Sequence, residues 1–419
     1  MSTGQTSELK DAVSVKANRI FGQFAWVVAG RVLAALIQAV SFVLLARGLT
    51  PTDFGLFSTV LGFATLAQTV VDLGVSTLAL RERAKNPDSG VVTSALRLNN
   101  KLSFVLALVS LAAVIAGAMW VSPLLWQILP LVIWVAAERN ADAWLSIAFV
   151  DGQVHVTTLN LVIRRGITVA LFLGLQFCGL LPVLAFCIAC AIASAGSSIF
   201  AHRFVARRLP SASDIPIGSL LQAAWPYWLN SVATQARNLD VTVTAIFGGA
   251  FQAGLYASAS RITGPLRILP ASLSSVLLPH ASRRDHRTIR GLVRLVAVCV
   301  AALSVMYIVI VLMAPWFVPV LLGDAYAEAV FPIQITAFGL IFASAAALLG
   351  SLLQGVGLKH YVAHTAVATT VVCLVGCAIG AAWAGAVGAA YGLSISFVIQ
   401  AVLLAARLAV FMIRREPNR

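Results

Sequence analysis

Apolar runs of about 20 residues recur from residue 22 to residue 411, separated by short polar breaks. Each is long enough to cross a hydrocarbon core of ~30 Å at ~1.5 Å per helical residue. In lipid the backbone must satisfy its own hydrogen bonds, so such a chain has one way to span, as helices. The pattern predicts an all-α integral membrane protein with spans at 22–46, 54–80, 99–119, 124–150, 156–179, 183–206, 223–249, 253–280, 291–314, 328–353, 361–382 and 386–411. With 60% hydrophobic and 11% charged residues, against roughly a quarter charged in soluble domains, a water-soluble fold is excluded. Nothing is left over for a separate soluble domain.

The basic residues fix an orientation. Of the 29 lysines and arginines, eight fall inside spans and twenty lie at the termini or in loops on the side the termini share. Arg47 alone lies on the other side. That asymmetry predicts cytoplasmic termini, with the chain in a bacterial inner membrane. A net charge of +14 could suggest nucleic acid as a partner, but the charges sit in short clusters between apolar runs, so no nucleic-acid role is expected. All six cysteines lie in apolar segments, which predicts buried thiols; no metal or cofactor is expected. Residues 1–21 are polar and the first apolar run has full spanning length, so it reads as a retained anchor.

The chain also repeats itself. Asp53-Phe54-Gly55-Leu56-Phe57-Ser58 after the first span matches Gln252-Ala253-Gly254-Leu255-Tyr256-Ala257 after the seventh, at an offset of 199 residues. Asp151-Gly152-Gln153 after the fourth matches Gln354-Gly355-Val356 after the tenth, at 203. Six spans separate the copies, so the halves share one orientation and are related by an axis along the membrane normal. The expected organisation is a cytoplasmic segment (1–21), an N-lobe (22–210), an inter-lobe linker (211–222), a C-lobe (223–411) and a cytoplasmic tail (412–419). Two six-helix lobes around a central cavity are the architecture of an alternating-access transporter.

The eight arginines within spans are Arg31, Arg139, Arg164, Arg165, Arg237, Arg261, Arg267 and Arg407. Each costs roughly 2.5–3.5 kcal/mol at a helix centre, so most must face a bundle interior or a wet cavity. Arg31 and Gln38, seven apart, share one helical face. Thr157, Asn160, Arg164 and Thr168 form a polar stripe beside Arg165, and Asn230, Thr234, Arg237, Asp240 and Thr244 form another. Three-residue spacing allows Arg139 to pair with Asp142 and Arg237 with Asp240 within their own helices. Arg267 and Arg407 lie near enough to helix ends to snorkel. Arg31, Arg164 and Arg165 have no acidic residue within a turn, which makes them the leading candidates for binding an anion, since a guanidinium holds phosphate or carboxylate bidentately. The substrate-binding set is therefore Arg31, Gln38, Asn160, Arg164, Arg165, Asn230, Arg237 and Arg261, with Asp240, Glu138 and Asp142 as candidates for coupling to H+ or Na+. Among packing features, Gly376-x3-Gly380 and Gly388-x3-Gly392 allow close helix approach, Pro265 and Pro270 predict a kink in the eighth span, and Pro226 marks the start of the seventh.

The segment LLARGLTPTDFGLFS with the following DLGV, preceded by Arg31, resembles the start of the polysaccharide-exporting branch of the multidrug/oligosaccharidyl-lipid/polysaccharide (MOP) superfamily, which includes the O-antigen-type flippases. RNLDVTVTAIFGGAFQAGLYASASRI resembles that branch's seventh and eighth helices, and the six-plus-six duplication matches along the chain. The resemblance implies a substrate, an oligosaccharide on undecaprenyl pyrophosphate, turned from the cytoplasmic to the periplasmic leaflet for O-antigen, exopolysaccharide or capsule biosynthesis. Membrane lipids and a polysaccharide polymerase or assembly machinery would be partners. Two other functions compete. An ion-coupled drug or metabolite exporter of the same superfamily would want an unpaired membrane carboxylate and a cation-friendly cavity. A membrane polysaccharide polymerase would want a long outer loop, and the longest, around 315–327, is short. No GxxxxGK[ST] phosphate loop is present, so this chain is not itself an ATP-driven pump.

Overall fold

The computed structural model describes residues 3–209, 215–281 and 286–414, and these are helical almost throughout. The first half runs α1 (Thr3–Arg47), α2 (Pro51–Asp72), α3 (Val75–Lys85), α4 (Gly90–Trp120), α5 (Leu131–Val150), α6 (Val154–Phe177) and α7 (Pro182–Ala206). The second runs α8 (Ile217–Gln235), α9 (Asp240–Thr263), α10 (Ile268–Ala281), α11 (His286–Leu322), α12 (Val330–Gly355) and α13 (Lys359–Arg414). All twelve expected passes are present. α2 and α3 make the second, α8 with the start of α9 the seventh, the rest of α9 with α10 the eighth, and α13 holds the last two.

Local chemistry explains where these helices begin and break. Pro51 opens α2 with its φ already helical, and the Thr50 hydroxyl accepts a hydrogen bond from the Asp53 amide (3.2 Å). Gly249, at φ 85°, interrupts α9 where the seventh pass turns into the eighth, a left-handed conformation that only glycine adopts without strain. Ala384 and Gly385 likewise fold α13 into two arms. The arms then pack so closely that Gly376 meets Gly392 and Gly380 meets Gly388 backbone to backbone, as their spacing predicts.

Two boundaries differ from the sequence reading. α8 starts at Ile217, upstream of Pro226, so helix extends into the expected linker; residues 211–214 of that linker lie outside the described residues. α11 continues through Pro315 and Pro319 to Leu322, shrinking the expected outer loop to a short 3-10 turn at Asp324–Ala329. Proline raises the local cost of helix without always ending it, since neighbours can satisfy the freed carbonyls. The expected kink in the eighth pass is present, as the 3-10 segment Gly264–Arg267 around Pro265.

The repeat becomes a contact. A Cβ added to Gly55 would collide with the Ala250 carbonyl, and one added to Gly254 with the Pro51 carbonyl. Pro51 and Gly55 correspond to Ala250 and Gly254 at the same offset of 199 residues. The two copies therefore grip each other reciprocally, as an isologous two-fold contact requires. At this end of the bundle, where α1 passes into α2, one apolar core joins both halves. It includes Phe57 and Phe186 from the first, with rings 5.7 Å apart, and Tyr256 and Tyr326 from the second. At the opposite end the core divides in two, one cluster around Leu78, Leu96 and Trp144 and another around Leu352, Val362 and Leu404. The lobes share one core at the first end; at the other, α8 packs into the Leu78 cluster through Leu220 and Ala224, while α10–α13 form the other cluster.

Candidate functional site

Two kinds of polar environment lie inside the bundle. In the first half the charges neutralise each other. Arg164 places its guanidinium 2.9 Å from Asp142 and 3.3 Å from Glu138, while Arg165 donates to Glu138 at 2.8 Å. Ser194 on α7 donates to the other Glu138 oxygen at 2.7 Å. Arg139 pairs with Asp72 on α2 at 3.4 Å and donates to the Ser103 hydroxyl at 2.9 Å. Pairing of this kind is one way a charge persists inside a membrane. Below them, Arg83 holds Asp151 at 2.7 Å and donates to the Pro87 carbonyl, clasping the end of α3 to the turn after α5; hydrogen bonding to Asp151 raises its pKa above the ordinary guanidinium value.

These pairings correct the sequence reading. Arg139 meets Asp72 rather than Asp142, and Arg164 and Arg165, read as lacking acidic neighbours, find theirs on α5. Spacing along one helix reveals only partners on that helix, and here the partners come from the next one. The stripe through Asn160 and Arg164 faces the interior of its own lobe. Asn160 accepts a hydrogen bond from Ser197 on α7 at 2.7 Å, and Thr168 is buried.

Among the described residues, Arg237, Arg261, Arg267 and Arg407 form no ion pair with a carboxylate. Arg237 donates to Ser396 (2.8 Å) and Gln400 (3.3 Å) and lies 4.4 Å from the Phe397 ring centre. The expected Arg237–Asp240 pair does not form. Asp240 instead accepts from the Tyr256 hydroxyl at 2.8 Å, because the 3-10 turn Ala236–Leu239 rotates the two residues onto different faces. Arg267 lies 5.2 Å from the centre of the same Phe397 ring, and Arg261 crosses the lobe boundary to lie 4.8 Å from Phe42 on α1. Aromatic faces hold a guanidinium without cancelling its charge. Arg407, near a helix end, lies 5.3 Å from the Tyr361 ring.

The inter-lobe space is a cavity in two adjoining compartments of about 470 and 200 Å³ that share Ala35, Gln38 and Ile268. Arg31, Arg165 and Arg267 line the larger and Arg261 the smaller, and among the described residues no acidic one lines either. Arg31 forms no ion pair among the described residues. Of the sequence-read set, the structure thus gathers Arg31, Gln38, Arg165 and Arg261 here. It places Asn160, Arg164 and Arg237 within the lobes, and the Asn230 side chain lies outside the described residues. Arg267, read as snorkelling, belongs to the cavity. Its place in the Gly264–Arg267 break, set by Pro265, was the available signal.

A second cavity, of about 590 Å³, lies between α2, α5 and α8 and is lined by Asp72, Glu138, Arg139, Asp142, Ser231 and Gln235, among others. The sequence reading singled out Glu138, Arg139 and Asp142 but did not bring them together with Asp72 on α2 or Gln235 on α8, which are distant in sequence.

Comparison with known proteins agrees with this architecture. Among solved structures, an inward-facing multidrug-resistance MATE-family transporter of the MOP superfamily superposes with TM-score 0.72 at 15% identity, covering 93% of this chain and 96% of its own. The lipid II flippase MurJ in an inward closed conformation gives 0.67 at 13% identity, covering 94% and 87%. A MOP-superfamily transporter from Pyrococcus furiosus gives 0.65 at 14% identity, covering 94% and 96%. Likeness at such low identity concerns the fold alone. No curated protein matches the chain by sequence. A family model for polysaccharide biosynthesis proteins matches residues 44–331. That is well over half of the chain, so the chain belongs to this polysaccharide biosynthesis family.

Proposed function

We propose that this transporter carries an undecaprenyl-pyrophosphate-linked oligosaccharide from the cytoplasmic to the periplasmic leaflet of a bacterial inner membrane, for surface polysaccharide assembly. The observation that carries the reading is the inter-lobe cavity itself, with Arg31, Arg165, Arg261 and Arg267 around it and, among the described residues, no carboxylate in its lining. A pyrophosphate is the ligand such a site fits, because its oxygens take bidentate, charge-assisted hydrogen bonds from several guanidinium groups at once. Arg267 sits on a helix break and Arg31 on the facing lobe, so a bound anion would draw the lobes together over it. The lipid tail can stay in the bilayer while the head group crosses.

In this reading residues 22–210 and 223–411 rock against each other. The divided end of the core is the cytoplasmic side, where the basic loops and both termini lie. A drug-type exporter of organic cations fits less well, since the carboxylates of the first half are engaged by arginines. Asp240, held by Tyr256 and not by a cation, is the carboxylate best placed to couple transport to H+ or Na+. A polymerase or other assembly machinery on the periplasmic side would consume the product.

A deletion strain tests the proposal. The expected result is accumulation of completed lipid-linked units that a periplasmic modifying enzyme cannot reach. Normal lipid-linked units together with altered tolerance of small toxic compounds would overturn it in favour of a drug exporter.

A further inference from the structure

The cavity of about 590 Å³ between α2, α5 and α8 has a different chemistry from the cationic one, and the proposed function does not use it. Among the described residues, every one in its lining except Ala143 is polar or charged. Yet it is electrically balanced. Asp72, Glu138 and Asp142 stand against Arg139, Arg164 and Arg165, in the pairs described above. An ion of either sign entering here would find the countercharge already engaged. What the lining still offers is hydrogen bonding in both senses. The Asp142 side chain is paired through one oxygen yet 61% exposed, Thr69 gives its proton to the Thr65 carbonyl and keeps an acceptor, and Ser231 and Gln235 present a hydroxyl and an amide from the opposite wall. Alternating donors and acceptors at fixed positions, with no net charge, match vicinal hydroxyls. The volume is within the ~300–1,000 Å³ of ordinary ligand pockets.

Two features of placement add to this. Glu138 lines this pocket while Arg165, bonded to it, lines the cationic cavity, so the two sites stand back to back across one ion pair. Its walls also come from both lobes, α2 and α5 on one side and α8 on the other, so a rocking motion that separates the lobes would take the pocket apart.

We infer that this pocket is a subsite for an uncharged, polyhydroxylated sugar residue of the transported head group, adjacent to the anion site and released when the lobes move. The inference rests on the flippase reading and assigns the part of the substrate that reading leaves open.

Equilibrium binding to the full-length protein in lipid nanodiscs tests it, with undecaprenyl pyrophosphate and the same lipid carrying a neutral N-acetylated disaccharide as probes. The wild type is expected to bind the sugar-bearing lipid about tenfold tighter, the worth of one or two net hydrogen bonds. The paired substitution Thr69→Val and Gln235→Leu should erase that increment and leave bare-lipid binding unchanged, which also shows that the variant is folded. Arg31→Ala should weaken both lipids by the same factor. Equal affinity for the two lipids in the wild type, or an increment that survives Thr69→Val and Gln235→Leu, would overturn the sugar subsite. Displacement of the sugar-bearing lipid's extra affinity by tetraphenylphosphonium would overturn it in favour of a cation pocket. If Arg31→Ala changed neither lipid, the anion site would fail and the flippase reading with it, separately from the sugar subsite.

Discussion

Arg164 and Arg31 illustrate two fates of a charge inside a membrane. Arg164 is buried between Glu138 and Asp142. Replacing it with alanine leaves Asp142 without its cation and Glu138 with Arg165 alone, and should cost about 3–5 kcal/mol, seen as a large drop in the thermal unfolding temperature of the purified protein. Arg31 is exposed to the inter-lobe cavity. Its replacement by alanine should change stability by no more than about 0.5 kcal/mol while weakening binding of a polyprenyl pyrophosphate. Arg31→Lys should restore only part of that binding if bidentate contact matters, which equilibrium binding would show. The sequence distinguished these residues imperfectly. The seven-residue interval from Arg31 to Gln38 did identify a cavity face, because both residues lie on one uninterrupted helix. The stripe through Arg164 was equally regular, yet periodicity says which side chains share a face and not what the face meets. The true cavity residue, Arg165, is its immediate neighbour.

Glycine governs the elements. Gly55 on α2 and Gly254 on α9 hold the lobes in backbone contact where the apolar core is continuous. Gly254→Val would force a side chain into the Pro51 carbonyl and should open that end. In a variant that also carries Leu49→Cys, labelling by a membrane-impermeant thiol reagent should rise severalfold, and unchanged labelling would show that the seal lies elsewhere. The repeat was legible because both copies of this motif are short and similar, but its reason was not: the copies resemble each other since they must fit each other. The helix breaks were read unevenly. Pro265 coincides with a real interruption, whereas Pro226 and Pro315 lie within continuous helices. Gly249 and Gly385 break helices with no proline beside them. A glycine permits a break and neighbouring helices decide whether it is used, information absent from the local sequence.

At the scale of the whole molecule, twelve passes and a two-fold arrangement follow from apolar length and an internal duplication, the two signals least affected by local detail. The proposed orientation rests on charge in short loops. Thr52 and Asn86, both exposed and at opposite ends of the second pass, provide its check. In intact cells with the outer membrane permeabilised, Thr52→Cys should react with an impermeant maleimide and Asn86→Cys should not. What the sequence could not convey is the partition of charge, balanced within the first lobe and uncompensated between the lobes, because each pair joins residues far apart in the chain. On that partition rests the claim that the cavity carries an anionic head group across the membrane. The most direct measurement is translocation in proteoliposomes, using a fluorescent undecaprenyl-pyrophosphate oligosaccharide whose leaflet is read by an impermeant quencher. The wild type should move the lipid, and Arg31→Ala and Arg267→Ala should each slow it by about tenfold or more with normal protein incorporation. Undiminished translocation by both variants, or none by the wild type, would contradict the account.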